Sequence, residues 1–401
     1  WLIRKETDTL SGYDYLSTIT QAITKKQVST SISSVSKSTQ KILTNNDTNT
    51  INVNIGRDKK TGENVLFPIN TRNNPHFAII GGSGSGKTYF IKHLLNEIRN
   101  KSNNKTNFII FDYKDGDIAT DDSFIKTTKA KVLNIKKRPL PLNLFWDSAG
   151  DEREEKACAE RIVSLITSVE GKIGKVQEQN LYNAIVRAFE ENRPYPDFSI
   201  INEILLEMTD GKADSITSIL RPIIEQKYLV SNKQHKYENW TDKTLIIDIH
   251  DIEKKNLACF MVLNQIHREL KKLGVAPTNP ETGARHIRTV IVIDEAHYFL
   301  SKPKQAKILQ NMIRDVRSSG GAIVLASQSP DDYDRADFDF LEQMEFPVVL
   351  KSSPKSYKFL EQKFGLSGKE AKNLLGKLGT LERGQAFVKN INSLAKVELT
   401  K

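Results

Sequence analysis

His76-Phe-Ala-Ile-Ile-Gly81-Gly82-Ser83-Gly84-Ser85-Gly86-Lys87-Thr88 is the stretch whose reading decides the fold. Its apolar opening reads as a buried strand, and its glycines as a turn. Beyond the turn, Phe90, Ile91, Leu94, Leu95 and Ile98 recur on one face of a helix. The spacing Gly81-x4-Gly86-Lys87-Thr88 between a strand and a helix is the phosphate-binding P-loop pattern. Glycines let successive backbone N–H groups curl around a phosphate, and the helix N-terminus adds donors and partial positive charge. Gly81, Gly82, Ser83, Gly84, Ser85, Gly86, Lys87, Thr88 and Tyr89 are therefore the candidate ATP-binding residues. Lys87 is expected on the β- and γ-phosphates, and the Thr88 hydroxyl on Mg2+. A flexible Gly/Ser turn is the competing reading, and the flanking strand and helix weigh against it.

Outward from this loop, short apolar runs alternate with helical periodicities. Runs at Asn107–Asp112, Lys131–Asn134, Thr244–Ile249, Thr289–Asp294, Ala322–Ser327, Phe346–Lys351 and Gln385–Lys389 read as strands. Such alternation predicts parallel βαβ units, hence an α/β class with a mostly parallel central sheet. Ligands in such sheets bind at the carboxyl ends of the strands. Residues 151–240 break the alternation. Four successive helical patterns, carried by Ile162 and Ile166, Leu181 and Ile185, Ile201 and Leu205, and Ile216 and Leu220, predict an all-α insertion. Residues 51–150 then hold the first part of the core, opening on a hairpin around Gly56–Gly62, and 241–401 hold the second. Residues 1–50, polar and rich in Ser and Thr, read as a linker or the end of an upstream domain. The opening on Trp1 is what a piece of a longer protein would give.

Lys and Arg number 59 against 49 Asp and Glu, a formal charge of +10. That balance suits a nucleic-acid partner, although a Lys-rich proteome produces it too. Cys158 and Cys259 fall in apolar helical patterns and read as reduced core residues, without disulfide or metal-ligand spacing. No run of about 18 apolar residues is present, so no membrane span is expected and the location reads as cytoplasmic.

The strand Thr289–Asp294 ends in paired carboxylates, Asp294 and Glu295. In a P-loop enzyme the first acid orients the Mg2+ shell and the second activates water. A solvated strand-end pair is the bland alternative. Gln328, ending the strand Ala322–Ser327, is placed to sense the γ-phosphate. Arg317, at the end of the preceding helix, is either a cation favoured by the helix dipole or an arginine finger for a neighbouring subunit. Arg383 is a second finger candidate. Asp112 reads equally as a nucleotide or Mg2+ contact and as a turn-former. The letters Asp294-Glu295-Ala-His297 also spell a helicase box, but no late Gln-x-x-Gly-Arg-x-x-Arg accompanies them, and His297 is expected on the following turn. Lys172, Lys175, Lys302, Lys304 and Lys307 lie in or beside loops and are candidate DNA contacts or plain solvated lysines.

Together these residues resemble the FtsK/HerA superfamily of hexameric DNA-pumping ATPases. The likeness rests on Gly81–Thr88, Phe111–Lys114, Pro141–Leu144, Val292–Glu295, Leu325–Gln328 and the Arg317-Ser-Ser-Gly320 segment, and covers roughly residues 51–395. The hairpin and the Phe-Asp-Tyr-Lys segment are most similar to the C-terminal ATPase region of DptH-type proteins of phosphorothioation-linked restriction. The resemblance implies a RecA-like core that binds ATP and Mg2+ between subunits of a ring, a hexamer in this superfamily. Such a ring would translocate along double-stranded DNA, in a defence or restriction system beside a partner nuclease. A nucleotide-gated assembly module that recruits an effector without translocating DNA is the alternative. A secretion-coupling ATPase is a third reading.

Overall fold

The computed structural model describes residues 48–114, 116–145, 148–171, 173–191, 196–230, 239–333, 340, 342–390 and 393–400. Residues 1–47 and Lys172 lie outside the described residues. In chain order the elements open with strands β1 (Asn52–Asp58), β2 (Asn64–Pro68) and β3 (Phe77–Ile80). Helix α1 (Lys87–Lys101), β4 (Asn107–Asp112), α2 (Asp122–Thr128) and β5 (Lys131–Asn134) follow. Then come four helices in succession: α3 (Glu152–Glu170), α4 (Lys175–Glu191), α5 (Phe198–Met208) and α6 (Ser215–Glu225). The chain returns through β6 (Leu245–Asp248), α7 (Lys255–Leu273), β7 (Thr289–Ile293), α8 (His297–Leu300), α9 (Pro303–Val316) and β8 (Gly321–Ser327). It ends with β9 (Phe346–Val349), α10 (Lys358–Phe364), α11 (Gly368–Leu378), β10 (Gln385–Asn390) and β11 (Ser393–Leu399).

The strands form one sheet in the order β2-β1-β11-β10-β9-β3-β8-β7-β4-β6-β5. From β9 to β5 every pairing is parallel. From β9 outward through β10, β11, β1 and β2 the pairings are antiparallel. The central strands are continuous apolar runs, because helices cover both faces of a parallel sheet. Successive residues therefore serve opposite cores. Ala78 and Ile80 join one buried cluster while Phe77 and Ile79 join the other, and Ile291 and Ile293 part from Val290 and Val292 in the same way. The first cluster runs without a break from the sheet into Ile162, Leu181, Ile201 and Leu220 of α3–α6, so the helical segment shares the sheet's core. Cys158 and Cys259 are buried free thiols.

Two details differ from the reading of the sequence. Thr48 is buried, and Asn70 Nδ2 donates to the Asn49 carbonyl at 2.8 Å, which ties the chain from Thr48 onward into the body of the sheet. The early hairpin, expected to open the core, also meets its far end. β1 pairs with β11, so the two ends of the core close one antiparallel edge. Among the described residues no helix is long and apolar enough to cross a membrane.

Candidate nucleotide site

Gly86 is the N-cap of α1, with φ 102°, a left-handed value that glycine adopts without a steric cost. This conformation turns the chain from β3 into the helix and aims the first N–H groups of α1 at the loop. Gly81 serves by its size: a Cβ there would lie 2.4 Å from Ser85 Oγ. Ser85 is buried, and its hydroxyl has no hydrogen-bonding partner among the described residues.

The loop opens into a cavity of about 340 Å3 at the carboxyl ends of the strands. Gly82, Ser83, Gly84, Gly86, Lys87, Thr88 and Tyr89 line it from the loop, and Asp294 and Glu295 from the end of β7. Lys87 is buried, and its ammonium donates to the carbonyls of Gly81 at 2.5 Å and Gly82 at 3.4 Å. Burial lowers its pKa, and the Glu295 and Asp294 carboxylates oppose that shift. Asp294 Oδ1 accepts the Glu295 N–H at 2.9 Å. Burial first, and the adjacent Glu295 second, push the Asp294 pKa up to about 6. A site of this kind, with two desolvated carboxylates beside a buried ammonium, favours an additional cation.

Glu295 is buried and holds φ 54°, an uncommon left-handed value for a side chain other than Gly, Asn or Asp. Gln328 Nε2 donates to Glu295 Oε2 at 3.0 Å. Gln328 is absent from the cavity lining and thus reaches the site through Glu295. His297 Nδ1 stands 3.1 Å from the same oxygen, without the geometry of a hydrogen bond.

Asp112 lines the cavity, and its Oδ2 also accepts the N–H groups of Ile118 and Ala119 at 2.9 and 2.8 Å, so it both faces the site and closes a turn. That closure brings Asp117 and Ile118 to the cavity wall. Lys114 and Arg383 also line the cavity, and they were not among the residues chosen as nucleotide contacts. Arg383 reaches it because β10 lies next but one to β3, an adjacency that spacing along the chain does not reveal. Arg383, the second finger candidate, thus lines the cavity of its own chain.

Arg317 is elsewhere. It follows α9 and precedes β8, at the amino ends of the strands, where Nη1 donates to Asn74 Oδ1 at 2.8 Å. The cavity and Arg317 thus lie at opposite ends of one sheet. Of the candidate DNA-contacting lysines, Lys175 pairs with Glu178 at 2.7 Å, while Lys302, Lys304 and Lys307 are exposed around the start of α9.

The residues fit ATP with Mg2+. The loop offers backbone donors and the unpaired Ser85 hydroxyl at a buried lysine, and Thr88 and Asp294 are oxygen donors of the kind that Mg2+ takes. The metal, when bound, would neutralise phosphate charge.

A family model described as an AAA-like domain matches residues 69–393. A curated relative from Methanocaldococcus jannaschii, named "Probable helicase MJECL08", is 25% identical over 344 residues, which is 78% of this chain and 63% of that protein. The chain therefore spans less than two thirds of that relative's length. Among solved structures, VirB4 of Thermoanaerobacter pseudethanolicus superposes with a TM-score of 0.66 at 15% identity, over 87% of this chain and 96% of that one. At that identity the likeness is one of fold, and it matches the α/β P-loop architecture described above.

Proposed function

The chain belongs to the AAA-like domain family, and from that premise we propose that it is an ATP-driven, ring-forming motor that translocates along double-stranded DNA. Lys87 holds the β- and γ-phosphates of ATP, and Thr88 and Asp294 hold Mg2+. Glu295 takes the proton of the attacking water, in a pocket whose apolar surroundings strengthen its charge. Gln328 positions the Glu295 carboxylate. Arg317 completes the site of the next subunit, where its guanidinium would stabilise charge developing on the transferred phosphoryl group. The finer reading, a restriction or defence role beside a partner nuclease, rests on the likeness of the hairpin and Phe111–Lys114 to DptH-type proteins.

One observation supports the ring above the others. Lys87, Asp294 and Glu295 share a cavity at one end of the sheet, and Arg317 sits at the other end. A head-to-tail neighbour can join the two, and such heterologous contacts close into rings.

The test mixes subunits. Arg317→Ala and Glu295→Gln chains are each expected to be inactive. A mixture should recover part of the turnover, because some interfaces then pair an intact Glu295 with an intact Arg317. Absence of both rescue and dominant inhibition would argue against action in trans. ATP turnover measured with and without duplex DNA separates the motor from the assembly module. Turnover indifferent to DNA, with no movement along it, would sink the motor reading.

A further inference from the structure

A second cavity, of about 560 Å3, opens between the carboxyl edge of the sheet and the helical insertion. It adjoins the nucleotide cavity, and Lys114 lines both. Four ammonium groups surround it, from Lys114, Lys254, Lys255 and Lys302, against two carboxylates, Glu170 and Glu253. Lys254 is committed to Glu170 at 2.9 Å, and Lys255 lies 5.7 Å from the centre of the Tyr113 ring. Lys114 and Lys302 are exposed, and their ammonium groups have no hydrogen bond or ion pair among the described residues.

One wall of the second cavity is aromatic. Tyr298 is 46% exposed, and its ring stacks on Tyr113 with centroids 5.2 Å apart. On the other side it meets the His297 ring at 4.2 Å, and His297 stands beside the Glu295 carboxylate. An occupant of the second cavity therefore touches a short chain of side chains that ends at Glu295.

The size lies within the roughly 300–1,000 Å3 of ordinary ligand sites. The chemistry of the lining is narrow. Ammonium groups act as point charges toward phosphate, and no arginine fork is present among the lining residues to read a planar group. Both tyrosine rings already have ring neighbours, so neither offers a free stacking pair for a base. Such a site grips a backbone without reading sequence. We infer that this cavity seats the sugar–phosphate backbone of a nucleic-acid strand, with Lys114, Lys255 and Lys302 facing its phosphates, and that Tyr298 and His297 link its occupancy to Glu295. The inference rests on the DNA-motor reading. Of the lysines chosen from the sequence it selects Lys302, and it sets Lys304 and Lys307 aside.

The test measures anisotropy of labelled duplex and single-stranded oligonucleotides bound to the full chain across a salt series. Lys255→Gln with Lys302→Gln is compared with Lys304→Gln with Lys307→Gln, which removes the same charge outside the cavity. The first pair should weaken binding at least roughly tenfold near 100 mM salt and reduce the slope of log affinity against log salt by about two. The second pair should change affinity less than about twofold. Equal losses from the two pairs would mean a bulk charge effect and overturn the inference. So would a polyglutamate peptide that displaces the oligonucleotide at equal charge, which would point to an acidic protein segment instead. Tyr298→Ala should bind the oligonucleotide but lose its stimulation of ATP turnover, and Tyr298→Phe should retain it. Stimulation intact in Tyr298→Ala overturns the link to Glu295. Wild-type chain that binds neither oligonucleotide defeats the motor reading itself. Wild-type binding that survives the first pair of substitutions defeats only the assignment of the cavity.

Discussion

At the residue scale, the site holds groups that stability alone would not select. Asp294 and Glu295 are adjacent, desolvated carboxylates, and Glu295 carries a left-handed backbone. Functional sites commonly retain such strain at a cost to stability. Glu295→Gln keeps the shape and removes one charge, so it should abolish turnover while stabilising the fold by about 1–2 kcal/mol. The sign with pH follows from Asp294. Its folded-state pKa is raised to about 6, so its charged form is the disfavoured one. The gain in Glu295→Gln should be full above pH 6 and fade as Asp294 protonates below it. Paired melting curves at about pH 8 and about pH 5, roughly two units above and one below that value, check this. His76 behaves in the opposite sense. It is 1% exposed, its Nδ1 accepts the Ile323 N–H at 3.0 Å, and burial lowers its pKa from 6.5 to about 4. Below pH 6.5 the unfolded chain binds a proton that the folded one refuses, so stability falls as pH drops from 6.5 toward 4. By pH 5 the loss from this residue should reach about 2 kcal/mol. His76→Asn, which keeps an acceptor at the Nδ1 position, should show a shallower decline in denaturant titrations. The loop glycines, Lys87, Asp294 and Glu295 were legible because each is a local pattern of residue type at a strand end. The φ of Glu295 was not, because it depends on what the surrounding backbone demands.

At the element scale, the turn between α9 and β8 shows what the Arg317-Ser-Ser-Gly320 segment requires. Gly320 has φ +77°, and a Cβ there would lie 2.6 Å from the His286 carbonyl oxygen. Backbone occupies that space, so it cannot move aside as a flexible side chain would. Gly320→Ala should therefore cost about 2–4 kcal/mol, combining a left-handed penalty with the clash, in chemical denaturation. Arg317, just before the turn, is held in place by this packing, so the same variant should lose turnover. The strands were legible here because a parallel sheet buried on both faces leaves continuous apolar runs. The helices of the insertion were legible through their apolar periodicity. The joining of β1 to β11 was not, because antiparallel closure between the two ends of the core leaves no short-range mark. A second long-range adjacency, of β10 through β9 to β3, put Arg383 on the nucleotide cavity, out of reach of a reading by spacing.

At the scale of the whole molecule, the separation of Arg317 from its own cavity makes stability and activity divisible. In its own chain the Arg317 guanidinium donates a hydrogen bond to Asn74 Oδ1 at an exposed position. Exposed interactions of this kind contribute little, about 0–1 kcal/mol. A structural role for Arg317 thus predicts that Arg317→Ala loses little stability and little turnover together. A role in a neighbour's site predicts a different pair of results: a melting temperature close to wild type, and a turnover lower by about 10^3-fold or more. Affinity for ATP in the absence of turnover should hold, because the cavity that binds it is built from this chain's own loop and strand ends. The wild-type chain should also show turnover per subunit that rises with protein concentration, since each site needs a second copy. In Arg317→Ala that rise should vanish. Turnover per subunit that stays constant on dilution to monomers, measured beside a mass determination, would place the whole reaction within one chain and return Arg383 as the arginine to test.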